Sequence, residues 1–547
     1  MFVSPQAFPQ NPPQIDPAAK IQKLSEQKNW GEVVRVVESM TTRSAEIDFD
    51  YGSALAHLGR WSQAHAAFLA GRQLLPGDAR FPVELGGVAF RRKRYAEAAR
   101  WLREGLRLAP QDDYASDFLA TIYFLQGNLA AALKYWNRVS KPHLENVRTD
   151  LGLKVHPALL NRAFLFAPAS TLTLPDLLST QLRVEGLGIF PDPHWHLNAL
   201  DDGNFDLDFR GQERNGFGDG KLGALLSTFR GAFYQTAYPE YFNWAGSATN
   251  ITSLVRWDSE KRRFVMSLSG PLSKNPKYRY QVGVDLCNEN WNLRAGPAPV
   301  LGALNLRRYA ANGQVASFNN GRWNWLAGVE LSDRDFRGVF AGPSLPPQVL
   351  LSGVQLKQRT QLNYQLARVP ERRFESKASV TSEVGTIWSS PSHTFEKLQG
   401  MVSARWDPQM SGDDYAMQGR VRSGRTFGSL PFDELFILGM ERDNDLWMRA
   451  HVGTLNGIKG SAPLGRNYFL SNWEIDKRVY HNGFLTFKLS PFLDSGKITD
   501  SLPGLGSQRW LWDAGIQAKF RVMGVGVTLI YGKDLRTGRN VFYATAQ

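Results

Sequence analysis

The stretch "LTFKLSPFLDS" (485–495) alternates between apolar and polar residues, which is typical of a β-strand whose two faces meet different surroundings. One face carries Leu485, Phe487, Leu489, Pro491 and Leu493. The other face carries Thr486, Lys488, Ser490, Phe492 and Asp494. In a soluble sandwich the apolar face points inward, whereas in a membrane barrel it points to lipid and the polar face lines a wet lumen. In a barrel, Asp494 would therefore face the lumen.

The same alternation recurs through the C-terminal part of the chain, for example in "YRYQVGVDL" (278–286) and "IQAKFRV" (516–522). About 16 segments of this kind can be counted, from 223–236 to 539–547, with 301–309 and 314–319 as separate members. An even number is what closure of an antiparallel bacterial barrel requires. We therefore predict a 16-stranded antiparallel transmembrane β-barrel over 216–547. Its longest connection, 428–466, is unusually long and indicates a functional loop.

The chain has 547 residues and a net charge of +13. This length agrees with a large, multidomain protein. No run of about 18 apolar residues is present, so no transmembrane helix is predicted. The single cysteine, Cys287, excludes an internal disulfide and is expected to fill the barrel or a core. Residues 1–16 are rich in proline, are predicted to form a disordered leader and lack the apolar stretch of a signal peptide. Either a signal peptide has been removed or the protein is not exported.

Residues 17–146 contain a helical repeat with a period of about 34 residues. The anchor positions are Trp30, Trp61, Tyr95 and Leu129. Small residues recur between them, and Pro76 and Pro110 each end a second helix. This region resembles tetratricopeptide repeats, which stack helical hairpins and usually offer a groove to a peptide or protein partner.

Residues 147–215 predict a small α+β domain. A strand is followed by a helix that Thr173 caps and that Pro175 starts, and then by a hairpin around "DDGN" (201–204). The order resembles a POTRA domain, the periplasmic module of outer-membrane assembly proteins. His194 and His196 share a strand face, but a third ligand is lacking, so we predict no metal site.

The long connection and the strand region after it carry a set of spaced motifs. Phe436, Leu438 and Gly439 come first, Arg449, Ala450 and His451 follow, and Phe492, Asp494 and Gly496 come last. They resemble the outer-membrane barrel superfamily of barrel-assembly proteins and two-partner-secretion transporters, also called the bacterial surface antigen family. Its members place an Arg-Gly-aromatic motif in a long loop and Phe-x-Asp-x-Gly two strands later.

Several residues depart from that pattern. Ala450 replaces glycine, His451 replaces phenylalanine or tyrosine, and Met440 replaces a second glycine. The chain ends in "TAQ" (545–547) rather than in an aromatic residue. In the family the assembly machinery recognises that terminal aromatic residue, so the same interaction is in doubt for this chain.

A loop that folds back into a barrel needs an anchor, and an arginine–carboxylate pair supplies both charge and direction. We therefore predict that Arg449 binds Asp494 inside the lumen and that Gly496 leaves room for the loop. We call the pair Arg449–Asp494 the latch. The alternative is an ordinary lumen carboxylate and an exposed loop arginine. The acidic pairs Asp413–Asp414 and Glu441–Asp443 are predicted to be solvated.

The resemblance implies a non-enzymatic outer-membrane protein that assembles, inserts or translocates client proteins. Its N-terminal domains would lie in the periplasm of a Gram-negative bacterium, where the repeats would recruit the client or an accessory protein. The alternative is an export channel for an anionic polymer such as an exopolysaccharide. No catalytic motif is found, so we predict no enzyme activity and no cofactor. Membrane lipid is an expected partner, and nucleic acid is not, because the basic residues form no single patch.

Overall fold

The computed structural model describes residues 17–150, 152–218, 221–294, 299–342, 345–408, 414–441, 443–482, 485–507, 509–522 and 525–546. The predicted leader 1–16 therefore lies outside the described residues. The chain divides into two compact units between Lys141 and Pro142. This boundary lies five residues before the one predicted between the repeats and the α+β domain. Among the described helices, none is long and apolar enough to cross a membrane.

The described part of the first unit, from residue 17 onward, contains eight α-helices followed by a short 3-10 helix (Asn137–Val139). The helices are α1 (Pro17–Glu26), α2 (Trp30–Glu38), α3 (Ala45–His57), α4 (Trp61–Leu74), α5 (Arg80–Arg91), α6 (Tyr95–Leu108), α7 (Asp113–Leu125) and α8 (Leu129–Trp136). Each predicted anchor, from Trp30 to Leu129, is the first residue of the second helix of a pair.

Glycines permit the close approach within these helix pairs. A Cβ atom at Gly52 would lie 2.6 Å from the ring of Phe68, and one at Gly86 would lie 2.8 Å from Leu102. Both distances are shorter than any real contact, so each position requires glycine unless the partner moves. The period read from the sequence therefore corresponds to a repeated helix–helix contact.

The second unit begins with a three-stranded sheet and two helices. The elements are β1 (Leu144–Thr149), α9 (Pro157–Ala163), α10 (Leu174–Gly186), β2 (His194–Ala199) and β3 (Phe205–Arg210). The sheet order is β1-β3-β2, with β1 parallel and β2 antiparallel to β3. Thr173 caps α10 by accepting the Asp176 amide at 3.2 Å, as the sequence predicts. The assignment as a POTRA domain stays a prediction.

The remaining elements form the large antiparallel sheet and its connections. After helix α11 (Lys221–Phe229), the strands are β4 (Thr236–Ala237), β5 (Glu240–Trp244), β6 (Thr249–Trp257), β7 (Lys261–Leu272), β8 (Asn275–Leu293), β9 (Gly302–Ser317), β10 (Trp323–Phe340), β11 (Gly353–Val369), β12 (Phe374–Trp388), β13 (His393–Trp406), β14 (Tyr415–Gly428), β15 (Phe436–Ile437), β16 (Thr454–Leu455), β17 (Ile458–Lys459), β18 (Leu464–Gly465), β19 (Asn467–His481), β20 (Leu485–Thr499), β21 (Leu511–Val522), β22 (Val525–Asp534) and β23 (Asn540–Ala546). Short 3-10 helices lie at 232–234, 347–349, 370–372 and 432–434.

The wall strands pair in chain order into a closed barrel, with β23 next to β4. β14 pairs directly with β19 from Tyr415↔Lys477 to Gly424↔Tyr468, so residues 429–466 leave the wall as one long loop. We call 429–466 the lumen loop. β15 to β18 are short pairings within it. The predicted number of 16 wall strands stays a prediction.

Two strand predictions need correction. Residues 223–236 were predicted as a strand, but 221–229 form α11, because the apolar run "LGALLSTF" (222–229) lacks the alternation of the other segments. Residues 301–309 and 314–319 are predicted as two strands and form mostly one, β9, because the alanine, asparagine and glycine residues at 310–313 continue the pairing with β10. A short apolar or small-residue run is ambiguous from the sequence alone.

The barrel wall has apolar side chains on the outside and polar ones within. Exposed apolar residues include Val282, Leu286, Val329, Leu331, Leu356, Leu362, Val380, Val384, Leu398, Val402, Ile475, Leu493 and Ile516. Buried polar residues of the same strands include Arg334, Gln355, Glu383, Lys397, Arg422, Asp494, Asp513 and Gln517. This distribution is the reverse of a soluble sandwich, in which the buried face is apolar.

Exposed tryptophans mark the ends of several wall strands. Trp257 ends β6, Trp323 begins β10, Trp388 ends β12 and Trp406 ends β13. Amphipathic aromatic rings at strand ends are typical of membrane barrels, where they lie at the two water–lipid interfaces. The outer surface therefore has both the apolar band and the aromatic edge of a lipid-facing barrel.

The small α+β domain packs on one end of this barrel through α10. Its Ser179 hydroxyl accepts the Gly321 amide at 3.0 Å, and Arg183 donates to the Phe318 carbonyl at 3.4 Å. Asn250 of β6 donates to the carbonyl of Leu187 at 2.9 Å. Because β14 starts at this end, the lumen loop leaves the wall at the opposite end and folds back inward.

Candidate functional site: a charged loop inside the barrel

The latch residues lie in direct contact inside the barrel. The Nε and Nη2 atoms of Arg449 donate to the two carboxylate oxygens of Asp494 at 2.9 and 2.6 Å. The amide of Arg449 donates to the same carboxylate at 3.1 Å. Both residues are buried, Asp494 completely. This two-pronged geometry fixes the direction of the arginine as well as its charge.

Other groups complete the surroundings of Arg449. Its Nη1 donates to Glu474 at 2.8 Å, and its guanidinium lies 4.0 Å from the ring centre of Phe492. The Tyr543 hydroxyl donates to the Arg449 carbonyl at 3.0 Å. A buried cation with two carboxylates and an aromatic face is well compensated. Phe492, predicted only as part of a motif, therefore contacts the latch itself.

Gly496 faces the lumen loop. A Cβ atom there would lie 3.1 Å from Sδ of Met448, 3.2 Å from Leu438 and 3.3 Å from the Phe469 carbonyl. These distances are tighter than ordinary contacts, so a side chain at 496 would push on the loop. The structure thus places Gly496 where the sequence predicts that room is needed.

The remaining motif residues pack within the loop or against the wall. The Phe436 ring meets the Tyr468 ring edge-on at 4.6 Å, and Leu438 is fully buried. A Cβ atom at Gly439 would overlap Ala462. The Phe436 contact holds the first part of the loop against β19, and the close approach of Gly439 to Ala462 packs the loop on itself.

Ala450 and His451, which depart from the resembled pattern, contact the acids of β21 and β22. The Ala450 amide donates to Asp513 at 2.6 Å, and His451 Nδ1 lies 3.1 Å from the same carboxylate. His451 Nε2 lies 3.8 Å from Asp534. Burial alone would lower the pKa of His451, but Asp513 and Asp534 together raise it above its ordinary value.

His451, Asp513 and Asp534 lie close enough to ligate a cation together. However, Asp534 already accepts the Thr537 hydroxyl at 2.5 Å and the Arg536 amide at 2.9 Å, and Asp513 holds the loop backbone. The arrangement is therefore that of a histidine clamped between two carboxylates.

The acidic first half of the lumen loop contacts the opposite wall. Asp433 accepts from Arg334 at 2.7 Å, and Glu434 accepts from Lys357 at 2.9 Å and from Lys397 at 3.1 Å. These basic residues lie on β10, β11 and β13. The loop therefore spans the lumen, with its acids on one side and Arg449 on the other.

Asp443 forms the second acidic contact. It lies against Lys261 at bonding distance, 3.2 Å from Arg263, 3.7 Å from Lys459 and 3.9 Å from Arg256. Burial would raise the pKa of Asp443, but these cations hold it well below its usual range. At the tip of the loop, Lys459 also pairs with Trp291 of β8 through the backbone.

The prediction that Glu441 and Asp443 are solvated is wrong. Glu441 is buried and accepts the Thr454 hydroxyl at 2.6 Å, and the side chain of Asp443 is only 16% exposed although its backbone is open to solvent. The predicted loop is folded into the lumen, where its acids meet basic wall residues rather than water. Asp414 does lie at the surface and pairs with Arg478 at 3.0 Å, while Asp413 lies outside the described residues.

Sequence reasoning missed Asp433, Glu434, Asp443, Glu474, Asp513 and Asp534. The alternation of apolar and polar residues in the strands was a usable signal. It places charged residues on the polar strand faces, for example Arg263, Asp513 and Glu474. Matching those faces with the charges of the long loop could have suggested these pairs, although not their register. The residues His194 and His196 lie on the small domain, where His194 contacts the Asp192 carbonyl at 2.8 Å.

A cavity of about 530 Å³ adjoins the latch inside the barrel. Six basic residues and three acidic residues line it. The basic residues are Lys377, Arg405, Arg420, Arg422, Arg449 and Lys519. The cavity therefore continues the lumen with an excess of positive charge.

Comparisons with known proteins find weak structural similarity. No family model matches the chain, and no curated protein matches it. BamA from Haemophilus ducreyi lacking POTRA domains 1–3 aligns with 74% of this chain and 84% of its own, with 12% identity and a TM-score of 0.45. CdiB from Escherichia coli aligns with 74% of this chain and 75% of its own, with 14% identity and a TM-score of 0.47. MamA aligns with 22% of this chain and 73% of its own, with 18% identity and a TM-score of 0.22. Similarity at this level assigns no function.

Proposed function

We propose that this chain is an outer-membrane β-barrel that assembles, inserts or translocates client proteins. The observation that carries the membrane placement is the reversed distribution of side chains, with apolar residues outside and charged residues inside. A sheet of this kind is stable where lipid covers the outer face and water or a polar loop fills the lumen.

The N-terminal domains are proposed to lie in the periplasm and to handle the client. β2 of the small domain pairs only with β3 among the described strands, so its other edge is available for strand addition. The helical repeats would recruit the client or an accessory protein. The barrel would then complete the transfer, with the lumen loop as the element that moves.

The test is client insertion into liposomes that contain the purified chain. We expect an unfolded small barrel protein to gain protease protection faster in these liposomes than in empty ones. The comparison variant has the latch neutralised, Arg449→Gln/Asp494→Asn, so its lumen loop is no longer held, and its rate of client insertion should differ from that of the natural sequence. No acceleration of either insertion or secretion, together with no captured periplasmic protein, would contradict the proposal.

A second candidate function is export of an anionic polymer such as an exopolysaccharide. The basic excess of the lumen cavity favours it. The lumen loop speaks against it, because residues 429–466 occupy the space that a permanently open pore would need. Bilayer recordings decide between the two, since a large and stable single-channel conductance would favour the polymer channel.

A further inference from the structure

Seven basic wall residues share one property, namely that each lies within 4 Å of Asp433, Glu434 or Asp443 of the lumen loop. They are Arg256, Lys261, Arg263, Arg308, Arg334, Lys357 and Lys397. We call them the basic cluster. They come from six strands, β6, β7, β9, β10, β11 and β13, and together they cover one side of the lumen.

The wall alone does not neutralise this cluster. Five wall carboxylates lie within 4 Å of it, namely Asp258, Asp285, Glu289, Glu330 and Glu383. Seven cations against five carboxylates leave an excess of positive charge. Asp433, Glu434 and Asp443 of the loop supply three anions. Lys459 of the loop, 3.7 Å from Glu289 and Asp443, adds one cation, so the charges balance with the loop in place. Buried charges without partners are costly, so this side of the lumen requires an anion from outside the wall.

The loop satisfies the cluster only in part. The Nε–H groups of Arg256, Arg308 and Arg334 are buried and donate no hydrogen bond to any described residue. Arg334 is shielded almost completely and still has this unused donor. A guanidinium group usually donates to an anion through two adjacent N–H groups. Because one such group is unused in each of these arginines, they can bind a carboxylate that is better placed.

The loop binds here as a peptide with spaced carboxylates. The acids sit at two points of one segment, Asp433 with Glu434 and then Asp443, and they reach different strands of the cluster. The described residues of this segment, 433–441 and 443, therefore show what kind of chain fits the surface. An acidic polysaccharide would also match the charge of the cluster. The group that lies against the cluster in the structure, however, is a polypeptide segment.

We propose that the basic cluster is a binding site for an acidic polypeptide segment, and that the lumen loop occupies it as an internal stand-in. The site binds a client segment when Asp433, Glu434 and Asp443 withdraw. This inference rests on the proposed transfer of client proteins and adds the chemistry of the segment that enters the lumen. The positively charged cavity beside the latch continues the same surface.

The test measures binding of fluorescent poly-L-glutamate to the full chain purified in detergent. The variant Asp433→Asn/Glu434→Gln/Asp443→Asn removes the competing carboxylates and keeps the side-chain volumes. We expect it to bind poly-L-glutamate about tenfold more tightly than the natural sequence, and we expect added salt to weaken the binding.

The matched control is Asp192→Asn/Asp201→Asn/Asp335→Asn, which changes the net charge equally but alters exposed carboxylates outside the cluster and the lumen loop. It should bind like the natural sequence. The wall variant Arg334→Gln/Lys357→Gln should lose binding in the background of the loop variant. Heat-modifiable migration on a gel confirms that each variant is folded. If the loop variant does not fold, the wall variant is compared directly with the natural sequence, in which it should weaken poly-L-glutamate binding.

Three results would overturn the inference. The first is equal affinity of a folded loop variant and the natural sequence. The second is binding that the wall variant leaves unchanged. The third is binding of alginate, an acidic polysaccharide, without any binding of poly-L-glutamate. Because these assays need no client transfer, their failure is distinct from failure of the insertion assay that tests the proposed function.

Discussion

Four side chains of the barrel wall hold Arg449, although a single carboxylate would balance its charge. Asp494 and Glu474 bind its guanidinium, Phe492 covers one face, and Tyr543 holds its carbonyl. A buried ion pair of this kind contributes specificity more than net stability, but removing one partner leaves an uncompensated charge. At the scale of single residues, the latch therefore sets where the loop lies.

Replacing Asp494 by Ala should release the lumen loop. The change leaves buried Arg449 with Glu474 alone, which costs about 3 kcal/mol for the loss of one buried partner. Limited proteolysis of the folded protein should then cleave within 429–466, or the yield of heat-modifiable barrel should fall. Asp335→Ala is the matched control, because the Asp335 side chain is exposed and pairs with Arg337 of its own strand rather than with the loop. A protein unchanged in both measurements would disprove the latch.

His451 gives the loop contact a dependence on pH. Because the pKa of His451 is raised in the folded protein, the clamp between Asp513 and Asp534 is strongest when histidine is charged. Its contribution is fully present below about pH 6.5, the ordinary histidine value, and is lost as the pH rises through the raised value. Protease protection of the loop should therefore be lower at high pH. In His451→Gln this pH dependence should disappear, and an identical profile in both proteins would exclude the histidine as its source.

Elements differ in how well their sequence predicts them. The period that begins at Trp30 and the alternation around Asp494 each reflect a local rule of spacing, so both predicted their elements well. Helix α11 was missed because "LGALLSTF" (222–229) places apolar residues at both odd and even positions and so does not distinguish a strand from a helix. The contacts of Asp443 were missed for another reason, since Lys261 lies 182 residues away and only the barrel register brings them together.

Gly496→Leu should separate the loop from β20. The added side chain would meet Met448 and Leu438, which are already at 3.1 and 3.2 Å from the Cβ position. Overpacking of this kind costs about 1–3 kcal/mol. The expected result is faster proteolysis of the loop with a barrel that still migrates as folded. Gly400→Leu on β13 is the control, because nothing lies within 4 Å of its Cβ position. Equal protection of both variants would contradict the close fit at Gly496.

The barrel combines an apolar outer surface with a lumen whose two sides carry opposite charges. Basic residues of β6 to β13 face the acidic half of the loop, and acidic residues of β19 to β22 face Arg449 and His451. The barrel, the helical repeats and the loop motif were foreseeable from sequence. The division of charge was not, because it depends on which wall strands lie opposite each other across the lumen.

The outer surface can be tested with Val384→Arg on β12. Val384 is exposed on the apolar face, and an arginine near the middle of a lipid-facing strand costs about 2–4 kcal/mol. Folding into vesicles should fall, as measured by heat-modifiable migration. Gln361→Arg on β11 is the control, because this position belongs to the polar inner face of its strand. Equal folding of both variants would contradict a lipid-covered outer surface.

The central claim is that the lumen loop lies inside the barrel against the acidic wall. A Cβ atom at Gly532 would lie 3.4 Å from Cβ of Ala450, close to the separation in a disulfide. The measurement is disulfide formation in Ala450→Cys/Gly532→Cys, with Cys287→Ser to remove the natural thiol, in the folded protein under mild oxidation. We predict nearly complete cross-linking, seen as a mobility shift that reduction reverses, whereas Ala450→Cys or Gly532→Cys alone shows none. A folded double variant that stays uncross-linked would contradict the account.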